Sequence, residues 1–148
     1  MEVYKICKQQ YSTALNASGI ENRWNKKGQF VIYTSNSRSL AALELIAHRA
    51  SIMPAKVYKS MVISFKENTI EEIKTASLPK DWQWLDGYPK LQEIGSLWYE
   101  EQRSLVLKVP SAIIQKEHNY VINTRHPSFK KEVTLLENEN FFWDIRLL

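Results

Sequence analysis

Arg23, Trp24 and Asn25 are followed by Val31 to Ser35 and then by Leu40 to Glu44, so a guanidinium, an indole, the Tyr33 phenol, a hydroxyl and a carboxylate fall within about one strand and one helix of each other. A guanidinium clamps a pyrophosphate through two parallel charge-assisted hydrogen bonds. A carboxylate stabilises a sugar cation, as in the paired-carboxylate logic of glycoside hydrolysis. Those are the two needs of an enzyme that breaks the bond between nicotinamide and ribose in NAD. The same side chains also suit a cap, a core aromatic and a surface ion pair, and this cluster alone leaves both readings open.

The elements that must position these groups read as an α+β domain. Val3 to Cys7 alternates as a short strand, and Phe30 to Thr34 is a β-branched and aromatic strand. Ser35, Ser37 and Ser39 each offer an N-cap for a helix running to about Arg49. On that helix Glu44 shares a face with Leu40, Ala41 and His48. A carboxylate among apolar neighbours is costly unless paired or facing a polar cleft. Pairing with His48 or Arg38 and lining of a pocket both satisfy that condition.

Further strands are predicted over 57–65, 105–109, 120–122, 133–136 and 141–145, with a second helix over 91–103 that turns Leu91, Ile94, Leu97 and Trp98 inward. Residues 77–89 hold Pro79, Trp82, Trp84, Gly87 and Pro89 and read as an aromatic-studded loop or short helix. Strands outnumber helices and do not alternate with them, which disfavours a doubly wound nucleotide fold. No GxGxxG and no P-loop occurs, so neither a Rossmann cofactor site nor a Walker NTPase is supported.

The 148 residues fit one domain over 1–148, with 44% hydrophobic and 24% charged residues. A net charge of +4 permits anionic partners, but Lys and Arg cluster only as pairs (Lys26 with Lys27, Lys130 with Lys131). A nucleic-acid footprint would be denser, and direct nucleic-acid binding is not expected. The single Cys7 excludes an internal disulfide, and His48, His118 and His126 lack the spacing of a helical metal motif, so no metal is expected. Without a signal pattern or a membrane-length apolar run, a soluble cytoplasmic protein is the default expectation.

Farther along come Val109-Pro110-Ser111-Ala112, Asn119 to Asn123, His126-Pro127-Ser128-Phe129 and a terminal Asp144-Ile145-Arg146-Leu147. With Arg23-Trp24-Asn25, Gly28, Tyr33 to Ser35 and Leu40 to Glu44, this order closely resembles the RES domain family over essentially the whole chain. The family is named for an Arg, a Glu and a Ser, which Arg23, Glu44 and Ser111 match. The resemblance implies a fold like that of ADP-ribosyltransferase toxins, with small mixed or antiparallel sheets flanked by helices and NAD in a cleft between them. It implies a toxin that consumes NAD as substrate, by hydrolysis or phosphorolysis, with no other cofactor. It also implies an Xre-type helix-turn-helix antitoxin in a higher-order hetero-oligomer.

In that scheme Arg23 clamps phosphates and Glu44 binds a ribose hydroxyl and stabilises the anomeric cation. Trp24, Tyr33 and Ser35 line the substrate pocket, with Tyr33 and Trp24 as stacking candidates. Ser111 orients substrate or the attacking group, since nothing in its segment is an obvious base to make it a nucleophile. Asn119, Asn123 and His126 are expected to fix loops through backbone hydrogen bonds. Mono-ADP-ribosyl transfer to a protein, or a non-catalytic binding module, are the alternatives. Three positions depart from the family's habit: Glu21-Asn22 replaces a Gly pair, Lys5 an Arg, and Asn123-Thr124 an Asn-Pro.

Overall fold

The computed structural model describes residues 1–48 and 52–148. Seven segments become strands: β1 (Glu2–Lys8), β2 (Val31–Ser35), β3 (Tyr58–Ser64), β4 (Ile70–Glu72), β5 (Val106–Pro110), β6 (His118–Asn123) and β7 (Thr134–Phe141). They form one sheet in the order β4-β5-β6-β2-β1-β3-β7. Neighbours are antiparallel except for β4 and β5, which run parallel. The helices are α1 (Arg38–Ala47), α2 (Tyr88–Glu101) and the single turn α3 (Phe129–Glu132).

Strand alternation divides the sheet into two faces. Val3, Ile32, Met61, Ile63, Tyr120 and Ile122 fill the lower face, where Leu15 and Phe129 pack against them. The upper face carries two separate cores. Under α1, Ala41 meets Ile6 and Tyr58. Under α2, Leu91 and Trp98 meet Val31, Leu107, Val109 and Val121. Tyr33 and Ser35 on β2, and Asn119 on β6, belong to the same upper face, because Tyr33 pairs with Val121 and Ser35 with Asn119. The strip between the two cores is thus floored by the polar ends of β2 and β6.

Ser37 is the hydroxyl that caps α1, its Oγ accepting from the Leu40 N–H at 3.1 Å. Ser35 is still in β2, so the helix starts one turn after the strand and projects Glu44 back over the floor. The expected helical end near Arg49 lies outside the described residues; the described helix reaches Ala47. In α2, Leu97 is 54% exposed, contrary to expectation, while Gly95 and Tyr99 turn inward with Leu91 and Trp98. The helix begins at Tyr88, and at 3.6 residues per turn position 97 falls on the solvent side.

The two strands predicted over 133–136 and 141–145 are one, β7, and the chain beyond Phe141 ends in a 3-10 turn over Ile145–Leu147. The polar run Glu137 to Asn140 mimics a turn in sequence but suits an edge strand with one wet face. The three-residue β4 has no predicted counterpart.

Candidate active site

Glu44 sits half-buried, one turn before the end of α1, and its carboxylate is held by two donors. Ser111 Oγ donates to Oε1 at 2.7 Å, and Asn119 Nδ2 donates to the same oxygen at 2.8 Å. Pairing with Arg38, one of the sequence alternatives, is not what holds it. Arg38 is occupied elsewhere, in a two-pronged pair with Glu139 on β7 at 2.8 Å for both contacts. Bonds with an ionised partner are about twice as strong as neutral ones, so this arrangement fixes the carboxylate firmly.

Ser111 follows Pro110 at the end of β5 and is 0% exposed. Besides donating to Glu44, its Oγ accepts from the N–H groups of Ile113 and Ile114, both at 3.1 Å. One donor and two acceptors are then all used within the protein. Ser111 is both the turn cap that its position after Pro110 suggests and a brace for Glu44. Its influence on a ligand runs through Glu44.

Arg23 lies half-buried at the other end of the strip. Its Nη1 donates to the Trp82 carbonyl at 3.0 Å, and the guanidinium lies 4.7 Å over the Tyr88 ring. Among the described residues it forms no ion pair. A guanidinium carries five N–H donors, so most remain for an anion.

The Arg23 loop is fastened to the sheet by Tyr33. The Tyr33 hydroxyl accepts from the Trp24 N–H at 3.0 Å and donates to Asn25 Oδ1 at 2.6 Å. Asn25 is buried and spends its amide nitrogen on the carbonyls of Ile20, Lys26 and Gln29 at 3.0 to 3.2 Å. The loop turns at Gly28, whose φ of 85° is open to glycine at little cost, and the Gly28 N–H returns to the Gly19 carbonyl at 2.8 Å. Burial pushes the Tyr33 phenol far above its ordinary pKa, so it stays protonated and keeps donating. Tyr33→Phe removes both bonds and leaves the Trp24 N–H and Asn25 Oδ1 unpaired. We expect a loss of about 1–3 kcal/mol, read as an earlier urea midpoint at constant slope; an unshifted midpoint contradicts the fastening role.

The structure therefore brings Glu44 and Ser111 into direct contact and ties Ser35 to them through Asn119, whose Oδ1 accepts from Ser35 Oγ at 2.7 Å. Tyr33 and Ser35 are two residues apart on one strand face, about 7 Å along the sheet. Ser35, at 3% exposed, is joined to Glu44 through that amide. Trp24 is not in the strip at all: its indole is 2% exposed and packs in the α2 core, so it is no stacking surface.

Asn123 and His126 fix loops as expected, through Tyr99 O, the Arg125 N–H and the Ser128 N–H. Asn119 does not, since its amide binds two side chains. Sequence reasoning missed it because its partners lie 75 and 84 positions away.

Two of the three departures from the family's habit have local explanations. Glu21 and Asn22 do not have positive φ, and Asn22 Oδ1 accepts from the Arg23 N–H at 2.8 Å. Lys5 alternates with Tyr4, whose ring lies under Arg38 of α1, so its side chain points to the lower face beside Cys7. It is therefore no counterpart of a phosphate-binding Arg on the upper face, and burial lowers its pKa.

Two surface depressions, one beside Lys8 and Lys56 and the other beside Met1 and Lys131, contain no residue of this site. Among the described residues no three His, Cys, Asp or Glu side chains approach closely enough to hold a metal ion, and no helix is long and apolar enough to cross a membrane.

In this mixed α+β domain a serine and an asparagine brace a carboxylate on the sheet face that also holds an arginine. The RES domain family matches residues 2–144, and this chain belongs to that family. It is 30% identical over 151 residues to a protein called Toxin Res from Yersinia enterocolitica, covering 99% of each chain. It is 32% identical over 112 residues to a Prs ADP-ribosylating toxin from a Sphingobium species, covering 73% of this chain and 69% of that one. The fold is similar to a chain of the Mycobacterium tuberculosis MbcT-MbcA toxin-antitoxin complex, with a TM-score of 0.74, 19% identity, and coverage of 95% and 84%.

Proposed function

We propose that this chain is the toxin of a toxin-antitoxin pair and consumes NAD by breaking its nicotinamide–ribose bond. The observation that carries the reading is the double anchoring of Glu44 Oε1 by Ser111 and Asn119, on the face that also holds Arg23. Arg23 clamps the pyrophosphate with its unspent N–H groups. Glu44 stabilises positive charge on the ribose as the C1′–N bond breaks and its electron pair leaves with nicotinamide. Water or phosphate then bonds to C1′; attacking water gives up one proton to solvent. Charge stabilisation by a group fixed beforehand is the dominant contribution, because no reorganisation is needed when the charge appears. Tyr33 positions the Arg23 loop, and Ser111 positions Glu44.

Arg23→Lys keeps the charge but replaces the planar fork with a point charge. KM for NAD is expected to rise about tenfold, with kcat changed less, in steady-state assays. An unchanged KM removes Arg23 from phosphate binding.

A second reading is transfer of ADP-ribose to a protein, favoured by the Sphingobium relative's printed name and using the same groups. Mass spectrometry of products separates the outcomes: free ADP-ribose, its 1″-phosphate, or a modified protein. A non-catalytic binding module is left if none of the three forms. The toxin reading carries an antitoxin partner, in keeping with the complex found for the similar fold. We propose an Xre-type helix-turn-helix protein in a higher-order assembly, acting in the cytoplasm. Co-expression with the neighbouring gene's product should restore growth and co-purify with this chain.

A further inference from the structure

Asn119 stands between Ser35 and Glu44 at the centre of the site. It pairs with Ser35 across β6 and β2, on the face that Glu44 overhangs. Its Nδ2 donates at 2.8 Å to the Glu44 oxygen that Ser111 also reaches at 2.7 Å. A carboxylate offers only acceptors, so the amide nitrogen must face Glu44 and the amide oxygen must face away. That oxygen accepts a hydrogen bond from Ser35 Oγ at 2.7 Å. Each group fixes the orientation of the next. Two donors, the Ser111 hydroxyl and the Asn119 amide, converge on Oε1.

We propose that Asn119 is a positioning residue for the reaction of Glu44. With Ser35 behind it and Ser111 beside it, Asn119 clamps Oε1 and so fixes the orientation in which the carboxylate meets the sugar. The relay runs from Ser35 to Asn119 to Glu44, so Ser35 acts on the reaction only through Asn119. The kinetic consequence rests on the NAD-cleaving reading; the geometric one does not.

The test is nicotinamide release by wild type, Asn119→Ala, Ser35→Ala and the double variant. Loss of a hydrogen bond to a charged group predicts a kcat about 10- to 100-fold lower in Asn119→Ala, with KM within about threefold. Ser35→Ala should lose less, and the double variant no more than Asn119→Ala alone, because the two act in series. Wild-type kcat in Asn119→Ala, or losses that multiply in the double variant, would overturn the relay. If Asn119→Ala does not fold, the isosteric Asn119→Asp replaces the donor with a like charge and should lose at least as much kcat; wild-type activity there is equally fatal. If the wild-type protein releases no nicotinamide, the NAD reading fails, and a crystal structure of Asn119→Ala decides the geometric claim. A Glu44 carboxylate rotated off Ser111 supports the clamp; one in the unaltered orientation refutes it.

Discussion

Glu44→Gln should lower NAD cleavage by about 100- to 1000-fold while leaving thermal unfolding where it is in the wild-type protein. The substitution is chosen because glutamine retains an oxygen that can accept from Ser111 and Asn119, the two donors now on Oε1. The scaffold therefore keeps its bonds, and only the negative charge disappears. Glu44 is half-buried at the rim of its helix, so the core does not depend on that charge. A sugar cation at C1′ would face a neutral amide in place of a carboxylate, and the lost stabilisation appears in kcat because it acts only as the charge develops. Glu44→Ala is a poorer probe: it strands the Asn119 amide and the Ser111 hydroxyl at about 1–3 kcal/mol each and mixes stability with chemistry. Turnover of Glu44→Gln within threefold of wild type would make Glu44 a structural residue.

Gly95→Ala should be the most damaging small change away from the chemistry. Gly95 faces the Arg23 loop from the middle of α2, and a Cβ there would overlap the Trp24 carbonyl. The obstacle is backbone, which cannot rotate aside as a side chain does. Alanine is the better helix former by about 1 kcal/mol, so an open position would become more stable. Here the clash decides the sign. Overpacking costs about 1–3 kcal/mol and at times more, which for a chain of this size lowers Tm by roughly 5–10 °C. NAD affinity should fall as well, because Arg23 is the neighbour of the residue that must move. A variant more stable than wild type would show that α2 and the loop have room between them.

The chemical residues were more legible in sequence than the reason they work together. Arg23 and Glu44 stand out by type and spacing, Ser111 only through the resemblance to the RES family, and the strand and helix that carry Tyr33 and Glu44 follow from local patterning. The Ser111–Glu44 bond spans 67 positions and depends on β6 pairing with both β5 and β2. No local pattern encodes that pairing, nor the interior place of β1 between β2 and β3.

Trp24 shows the opposite failure. An aromatic beside an arginine suggests a pocket wall, but only the closeness of α2 at Gly95 makes it core. Asn119 falls just before the strand predicted over 120–122 and looks like a loop residue until Ser35 and Glu44 are brought to either side of it.

The braced carboxylate at Glu44 is proposed to drive NAD cleavage by stabilising the charge on the ribose. The most direct measurement is chromatographic release of nicotinamide from NAD by the purified protein beside its Glu44→Gln variant, with and without phosphate. Release by wild type that falls at least 100-fold in Glu44→Gln, with both proteins equally folded, is the predicted result. Equal release by the two proteins, or none from folded wild type in either buffer, would contradict it.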